Sequence, residues 1–293
     1  MKLKYLLLGA SLFASSLMAE VTTITPYAGT IDYSAKSSKD KASLMGVHYT
    51  VGTLDYLIEA DYSHFNASYN DSTSDDLKQD DFTLVYGKYY TDYMFRLGAH
   101  YINTNDDQLN NGIIFISTLG GYKYLSYDKL SYGVEGYYSY YKKGHDENYG
   151  EEKKIHILQI SPYFSYYKSI NSNMGNTFAV KTNYQIAYDY DDDKYFSYEV
   201  SDTLFYKDFF ATLKAYGGEM RTGVKDSGMT IYNTLDLMKK GFDIKLGYTL
   251  NKNTTLSISY GENTYSEFNT DLFQMSSTDI TSKVTTFSLN YSF

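Results

Sequence analysis

The chain has 293 residues, a formal net charge of −9 and no cysteine, and its aromatic content of 18% comes mainly from 36 tyrosines. No run of about 20 apolar residues occurs outside the N-terminus, which excludes a helical membrane protein, while a hydrophobic content of 43% excludes a disordered chain. The missing cysteines exclude disulfides and thiol chemistry, and the acidic charge balance argues against nucleic-acid partners.

Residues 1–19 have the composition of a secretory signal peptide. Lys2 and Lys4 form a positive start, and the apolar stretch that follows is too short to span a bilayer. Ala19 is a small residue at a plausible cleavage point. We therefore expect residues 1–19 to be removed and residues 20–293 to form one domain.

The remainder of the chain alternates between apolar and polar residues with a period of two. In residues 242–250, for example, Phe242, Ile244 and Leu246 fall on one face, and Asp243 and Lys245 fall on the other. This period is that of a β-strand with one apolar face. Fourteen segments show it, at residues 25–34, 42–51, 54–65, 81–90, 93–102, 112–125, 130–142, 155–168, 176–188, 195–206, 209–221, 242–250, 254–265 and 283–293.

The connections between these segments alternate between short and long. Tight turns occur at 52–53 and 207–208, whereas polar stretches such as 66–80 and 265–281 are long. A soluble sandwich also alternates, but strands of ten or more residues exceed the usual length of five to six. Long loops on one side and short turns on the other are typical of a transmembrane barrel, which leaves no open strand edge in lipid.

Residues 222–241 and Pro162 both depart from the simple pattern of strands and turns. Residues 222–241 contain a further strand-like stretch, but an even strand number favours a loop there that forms a short helix or folds inward. Twelve strands remain the alternative to fourteen. Pro162 lies inside a predicted strand, where it cannot donate a backbone hydrogen bond, so we expect a bulge or a local break.

The C-terminal strand resembles that of bacterial outer-membrane β-barrel proteins of the porin-like kind. Residues 287–293 read FSLNYSF, and residues 248–256 resemble a periplasmic turn of many porins. The resemblance implies an all-β, antiparallel up-and-down transmembrane barrel in the bacterial outer membrane. It also implies that the barrel-insertion machinery recognises the last strand through Phe287, Leu289, Tyr291 and Phe293.

The barrel reading assigns Tyr, Phe, Leu, Ile, Val and Ala to the lipid face and Ser, Thr, Asn, Gly and charged residues to the lumen. The charged residues that fall on the inner face are Glu59, Asp61, Arg96, Glu135, Lys181, Glu199, Lys214, Asp243 and Lys245. These side chains either line a pore or pair with one another to fill the interior. A barrel of fourteen strands is wider than the eight-stranded case that side chains just fill, which favours a pore.

The predicted loops are acidic. Asp191, Asp192 and Asp193 stand out among them, and acidic loops either solvate the rim or attract cations and lipopolysaccharide-bridging ions. The sequence thus favours a channel for passive diffusion of small hydrophilic solutes with a weak cation preference. The alternative is a structural or adhesive barrel without a channel. No metal site and no cofactor are expected.

A hydrolase is the least favoured alternative. Asp61, Ser63 and His64 lie near the end of one strand, but alternation turns the first two inward and His64 outward. No nucleophile, zinc or phosphate-binding motif occurs in the sequence. We therefore expect no catalytic residues.

Overall fold

The computed structural model describes residues 21–70, 75–106, 109–145, 152–188, 194–231, 234–269 and 274–293. They form a closed antiparallel up-and-down barrel of 14 strands, as predicted. The predicted signal peptide, residues 1–19, and the acidic residues Asp191, Asp192 and Asp193 lie outside the described residues. Over the described ranges, no helical element has the length and hydrophobicity needed to cross a bilayer.

Each strand pairs with its neighbour in sequence, and the first and last strands close the barrel. The barrel strands are β1 (Val21–Tyr33), β2 (Lys39–Gly52), β3 (Tyr56–Tyr69), β4 (Leu77–Tyr89), β5 (Tyr93–Thr104), β6 (Leu109–Leu125), β7 (Asp128–His145), β8 (Glu152–Asn171), β9 (Met174–Ala187), β10 (Lys194–Tyr206), β11 (Phe209–Arg221), β14 (Leu237–Asn251), β15 (Thr254–Asn269) and β16 (Gln274–Ser292). Two further short strands, β12 (Val224–Lys225) and β13 (Thr230–Ile231), form a separate two-stranded ladder.

All short connections lie at one end of the barrel and all long connections at the other. We refer to these as the short-turn end and the long-loop end. Most strands extend further toward the long-loop end than predicted; β16, for instance, begins at Gln274 rather than at residue 283. The residues added to β16 are mainly Ser and Thr, which pair through their backbones without an apolar alternation that sequence reasoning could detect.

The outer face of the barrel carries a belt of large exposed apolar side chains. Leu97, Leu213 and Phe287 are 56%, 55% and 59% exposed, respectively. An uncovered apolar belt of this kind is what membrane hydrocarbon contacts in transmembrane barrels.

Proline and glycine residues affect the strands differently. The local break predicted as one of two outcomes at Pro162 occurs, because the pairing of β8 with β9 skips residues 161–162. The other predicted outcome, a bulge, does not occur, since β8 keeps one register with β7 and with β9 on both sides of Pro162. A bulge does occur between β11 and β14 after Gly217. Gly218 has a φ of +90° there, a conformation that glycine adopts readily.

The described residues between β11 and β14 form no barrel strand, as predicted. We define the inner segment as its described residues, 222–231 and 234–236. It contains β12, a short 3₁₀ turn at Asp226–Gly228 and β13, and it folds into the barrel instead of projecting from it.

Candidate functional site in the barrel lumen

Two buried glutamines hold the inner segment and the end of β11 that precedes it against the barrel wall. Gln159 on β8 accepts a hydrogen bond from Val224 N (3.0 Å) and donates one to Val224 O (2.8 Å). Gln185 on β9 likewise accepts from Arg221 N (3.1 Å) and donates to Arg221 O (3.1 Å). Each amide thus satisfies one backbone donor and one backbone acceptor, as a neighbouring strand would. Sequence reasoning missed this pair, although two inward glutamines on adjacent strands were a usable signal.

Apolar contacts hold the other side of the inner segment. Its buried residues Val224 and Leu235, together with Met229 and Ile231, pack against an apolar part of the inner wall. On β5 to β8 that wall consists of Ile102, Leu109, Ile114, Ile116, Tyr137, Tyr141, Ile155 and Ile157, and Val85, Ala187, Tyr195 and Phe268 extend it onto β4, β9, β10 and β15. The expectation of a uniformly polar inner face is therefore wrong for β5 to β8, where the inward side chains form a hydrophobic core with the inner segment.

Ion pairs surround the inner segment at the middle of the barrel. Arg96 Nη2 lies 2.5 Å from Glu59 Oε2 on β3. On the neighbouring wall, Lys181 Nζ lies 2.8 Å from Glu135 Oε2, and the same carboxylate accepts a 2.8 Å hydrogen bond from Ser227 of the inner segment. Four of the predicted inward residues thus form two cross-strand pairs, one of which also binds the inner segment.

A third ion pair joins the inner segment to β11. Lys214 Nζ lies 2.9 Å from Asp226 Oδ1 and 3.6 Å from Glu199 Oε1. Desolvation would raise the pKa of Asp226, but the nearby Lys214 ammonium outweighs it and holds that pKa well below its usual range. The pair is therefore fully charged at neutral pH.

The remaining predicted inward residues are Asp61, Lys245 and Asp243, the last of which is the cross-strand partner of Lys214. Asp61 accepts a 2.9 Å hydrogen bond from Tyr27 and lies 3.5 Å from Nδ1 of His48. The Asp243 carboxylate lies against Gly261, in space that a side chain there would fill. Lys245 lies 6.0 Å from the ring centre of Phe210.

The polar cluster around Asp61 continues across the wall. The residues His48, Asp61, Thr83 and His100 form one cross-strand row on β2 to β5. His100 lies 2.6 Å from the Thr83 hydroxyl, and its other ring nitrogen lies 3.4 Å from Asp81. In the part of the chain that the structure describes, no group of three or more His, Asp or Glu residues has an arrangement that could hold a metal ion.

A buried network connects the inner segment to the long-loop end. Lys39 Nζ on β2 lies 3.0 Å from Asp236 and 3.3 Å from Glu267. Asp236 also accepts a hydrogen bond from Phe268 N (3.0 Å), and Glu267 accepts one from Ser38 N (2.9 Å). The C-terminal end of the inner segment is thereby tied to β2 and β15, a connection that the sequence pattern did not indicate.

The structure separates the residues considered for catalysis. Asp61 and Ser63 face the interior and are buried. His64 pairs with Asp80, which also accepts a hydrogen bond from the exposed Tyr62 on the outer face. These three side chains therefore do not form a common site.

The last strand presents its apolar residues outward. Phe287, Leu289, Tyr291 and Phe293 are all exposed, and Phe293 N donates a 3.0 Å hydrogen bond to Thr22 O on β1. These side chains lie on the outer face at the short-turn end. Their role as an insertion signal stays a prediction.

A cavity of about 280 Å³ remains between the inner segment and the wall. Charged and hydroxyl-bearing residues line much of it: Arg96, Thr118, Glu135, Tyr163, Lys181, Glu199, Ser201 and Ser227. The inner segment therefore covers the apolar wall of β5 to β8 while a polar space persists beside it.

No protein-family model matches the sequence, and no curated protein matches it. Solved structures do resemble the barrel. The CymD monoaromatic hydrocarbon channel has a TM-score of 0.53 at 7% identity, covering 95% of this chain and 90% of CymD. The Pseudomonas putida toluene transporter TodX has a TM-score of 0.52 at 8% identity, covering 94% and 91%. At such low identity these matches show the fold, which is that of bacterial outer-membrane β-barrel channels.

Proposed function

We propose that this barrel, which shares the fold of bacterial outer-membrane channels, passes small hydrophilic solutes across the outer membrane by diffusion, with a weak preference for cations. The cavity beside the inner segment, with the charged and hydroxyl-bearing side chains that line part of it, is the observation that carries the proposal. Its ion pairs Arg96–Glu59 and Lys181–Glu135 keep charged side chains in the lumen at mid-barrel. A polar lumen of this kind suits water and small solutes.

The cation preference follows from the distribution of charge. Among the predicted inward residues, acids and bases are nearly balanced, and the structure adds to the interior the carboxylates of Asp81, Asp226, Asp236 and Glu267 and the basic groups of Lys39, Arg221 and Lys225. The slight acidic excess and the acidic loops both favour cations. Because exposed charges act over only about 10 Å at 0.1 M salt, the preference should be small and should decrease as salt rises.

Planar-bilayer recordings test this function. We expect discrete conductance steps from the folded barrel and a reversal potential in a KCl gradient that indicates modest cation selectivity at 0.1 M salt. An anion-selective pore would contradict the cation preference. Absence of any conductance from folded barrel would favour a structural or adhesive barrel instead.

The apolar part of the inner wall favours a second function, a channel for apolar solutes. Ile114, Ile116 and Ile157 are buried members of the apolar cluster that includes residues of the inner segment, so movement of the segment would expose an apolar path. CymD and TodX, which share the fold, are described as hydrocarbon and toluene channels. Uptake of toluene without swelling of liposomes in sugar solutions would favour this function over the hydrophilic one.

The membrane partners are proposals too. The exposed apolar belt suits outer-membrane lipid, and the acidic long loops suit divalent ions that bridge to lipopolysaccharide phosphates. Recognition of the last strand by the barrel-insertion machinery is proposed from its resemblance to porin C-termini.

A further inference from the structure

The cavity beside the inner segment has the size of a small organic solute. Its volume of about 280 Å³ corresponds to roughly nine water molecules of liquid. Residues of the wall strands β5 to β10 and Ser227 of the inner segment line it. A monosaccharide or a similar polyol would fill this space.

The charges around the cavity compensate one another. Arg96 pairs with Glu59, and Lys181 pairs with Glu135. Glu199 lies 3.6 Å from Lys214. An ion held in this cavity would lose hydration without meeting an uncompensated opposite charge, which disfavours ion binding here. A neutral solute avoids this cost, and it can still form hydrogen bonds with those atoms of each pair that face the cavity.

Three buried polar atoms on this wall are unsatisfied hydrogen-bonding groups. Within the described ranges, Arg96 Nε, Thr118 Oγ1 and Tyr163 OH have no protein hydrogen-bond partner. Buried polar groups are normally bonded. The guanidinium nitrogen can only donate, whereas both hydroxyls can donate and accept. Solute hydroxyl groups, which also do both, match this mixed set better than a carboxylate or an ammonium group does.

Two glycines allow the Tyr163 side chain to lie along the wall. Tyr163 is on β8, and its hydroxyl reaches over Gly133 on β7 to Gly120 on β6. A Cβ at Gly133 would come within 2.7 Å of that hydroxyl, and a Cβ at Gly120 would come closer still. The aromatic face can therefore serve as a platform for the C–H face of a sugar ring, whose hydrogens it attracts.

We propose that this cavity is a binding subsite for a neutral polyhydroxylated solute of monosaccharide size. The inference rests on the proposed function, since it assigns a solute class to the same lumen. Arg96 and Thr118 would bond to the solute hydroxyls, and Tyr163 would contribute both its ring and its hydroxyl.

Saturation-transfer NMR with glucose as the probe, on the full barrel folded in detergent, tests the subsite without requiring conductance. Wild-type barrel should transfer saturation to the glucose protons. Tyr163→Phe keeps the ring and removes one neutral hydrogen bond, so glucose binding should weaken by about two- to tenfold. Tyr184→Phe, at an exposed outer-face position, is the matched control and should bind glucose as wild type does. Thr118→Val provides an independent variant should Tyr163→Phe fold poorly.

The outcomes separate this inference from the channel function. No transfer to glucose in wild-type barrel, or equal weakening by Tyr163→Phe and Tyr184→Phe, would overturn the subsite. Competition by gluconate or glycine as strong as that by glucose would overturn the assignment to a neutral solute. Conductance without glucose binding would leave the channel in place and remove only the subsite, whereas glucose binding without conductance would do the reverse.

Discussion

Gly228 of the inner segment packs directly against Ile116 of β6, across the lumen from the strands that carry the segment. A Cβ at Gly228 would overlap Cδ1 of Ile116, and the φ of Gly228 is +96°. The strand β6 lies six positions from β14 around the barrel. This contact therefore shows that the inner segment reaches the far wall and touches it at Ile116.

Replacing Gly228 should release the inner segment from the wall. In Gly228→Val the side chain overlaps Ile116, and a left-handed backbone costs a non-glycine residue a further 1–2 kcal/mol or so. We expect a larger single-channel conductance with a folded barrel. Gly136→Val is the control, because a Cβ there meets only the Ser117 hydroxyl, at 2.9 Å. Unchanged conductance in Gly228→Val would show that the segment does not restrict the lumen.

Glu135 connects three groups, and its loss should destabilise the barrel. Its carboxylate accepts hydrogen bonds from Tyr137 (2.6 Å), Lys181 (2.8 Å) and Ser227 (2.8 Å). Glu135→Gln leaves Lys181 without its anion, which should cost about 3 kcal/mol, at the low end for buried pairs because Lys181 keeps some solvent contact. The temperature at which the folded band is lost on SDS gels measures the effect.

Two variants test whether the Glu135 effect is electrostatic. Glu219→Gln changes an exposed carboxylate and should leave the transition temperature unchanged. Adding Lys181→Met to Glu135→Gln removes the unpaired charge of Lys181 and should restore part of the lost transition temperature. A double variant no more stable than Glu135→Gln would contradict this explanation.

The Lys214–Asp226 pair should persist in mild acid. Because the pKa of Asp226 is lowered, its stabilising effect is complete above the ordinary aspartate pKa of about 3.9 and is lost only as the pH falls toward the lower folded-state value. Conductance should thus be the same at pH 7.5 and pH 5 and should rise only below about pH 4 as the segment loosens. Asp226→Asn should show the looser state already at pH 7.5. A wild-type transition near pH 6 would contradict this assignment.

Neutralising Asp191, Asp192 and Asp193 together should reduce cation selectivity at low salt. These residues belong to the predicted acidic rim, whose field reaches only about 10 Å at 0.1 M salt. The triple Asn variant should shift the reversal potential toward zero at 0.1 M KCl and leave the conductance at 1 M nearly unchanged. A variant with a wild-type reversal potential at low salt would exclude this rim as the source of selectivity.

Replacing Phe293 should reduce the amount of barrel in the outer membrane. Its ring is 69% exposed and packs edge-on against Tyr291, 5.0 Å between ring centres, so Phe293→Ala removes little internal packing. Any reduction in the amount of barrel in the outer membrane should therefore arise during insertion. Quantitative blotting of outer-membrane fractions measures it, and Leu250→Ala, at another exposed apolar position, serves as the control. Equal yields of both variants would contradict a signalling role.

The sequence allowed the strand number, the turns and the facing of most residues to be predicted, since alternation is clear wherever one face is apolar and the other polar. In β6 it fails, because Ile113, Ile114, Phe115 and Ile116 are apolar without interruption. Such a run does not show which side chains of the strand face the lumen, so the apolar inner wall could not be recognised from the sequence.

The path of the inner segment could not be predicted from the sequence either. Its anchors Gln159 and Glu135 lie 65 and 92 residues from their partners in the segment, and Gln185 lies 36 residues from its partner Arg221 at the end of β11. No local pattern encodes contacts at such distances. The ion pairs Arg96–Glu59 and Lys181–Glu135 could be predicted as inward charges, but not which charge would meet which. Such pairing depends on register and barrel curvature, which a single strand does not reveal.

The order of the chain has a consequence for how this barrel folds. The partners of the inner segment on β6 to β9 precede it in sequence, and β14, β15 and β16 follow it. The segment can therefore settle on a curved, still open sheet before the last three strands are added. Pairing of Thr23 with Ser292 then joins the two ends of the chain and shuts the seam. With assembly in this order, the segment does not have to pass through the mouth of a closed barrel. The pairing of β1 with β16 is the one strand pairing whose residues lie nearly the whole chain apart.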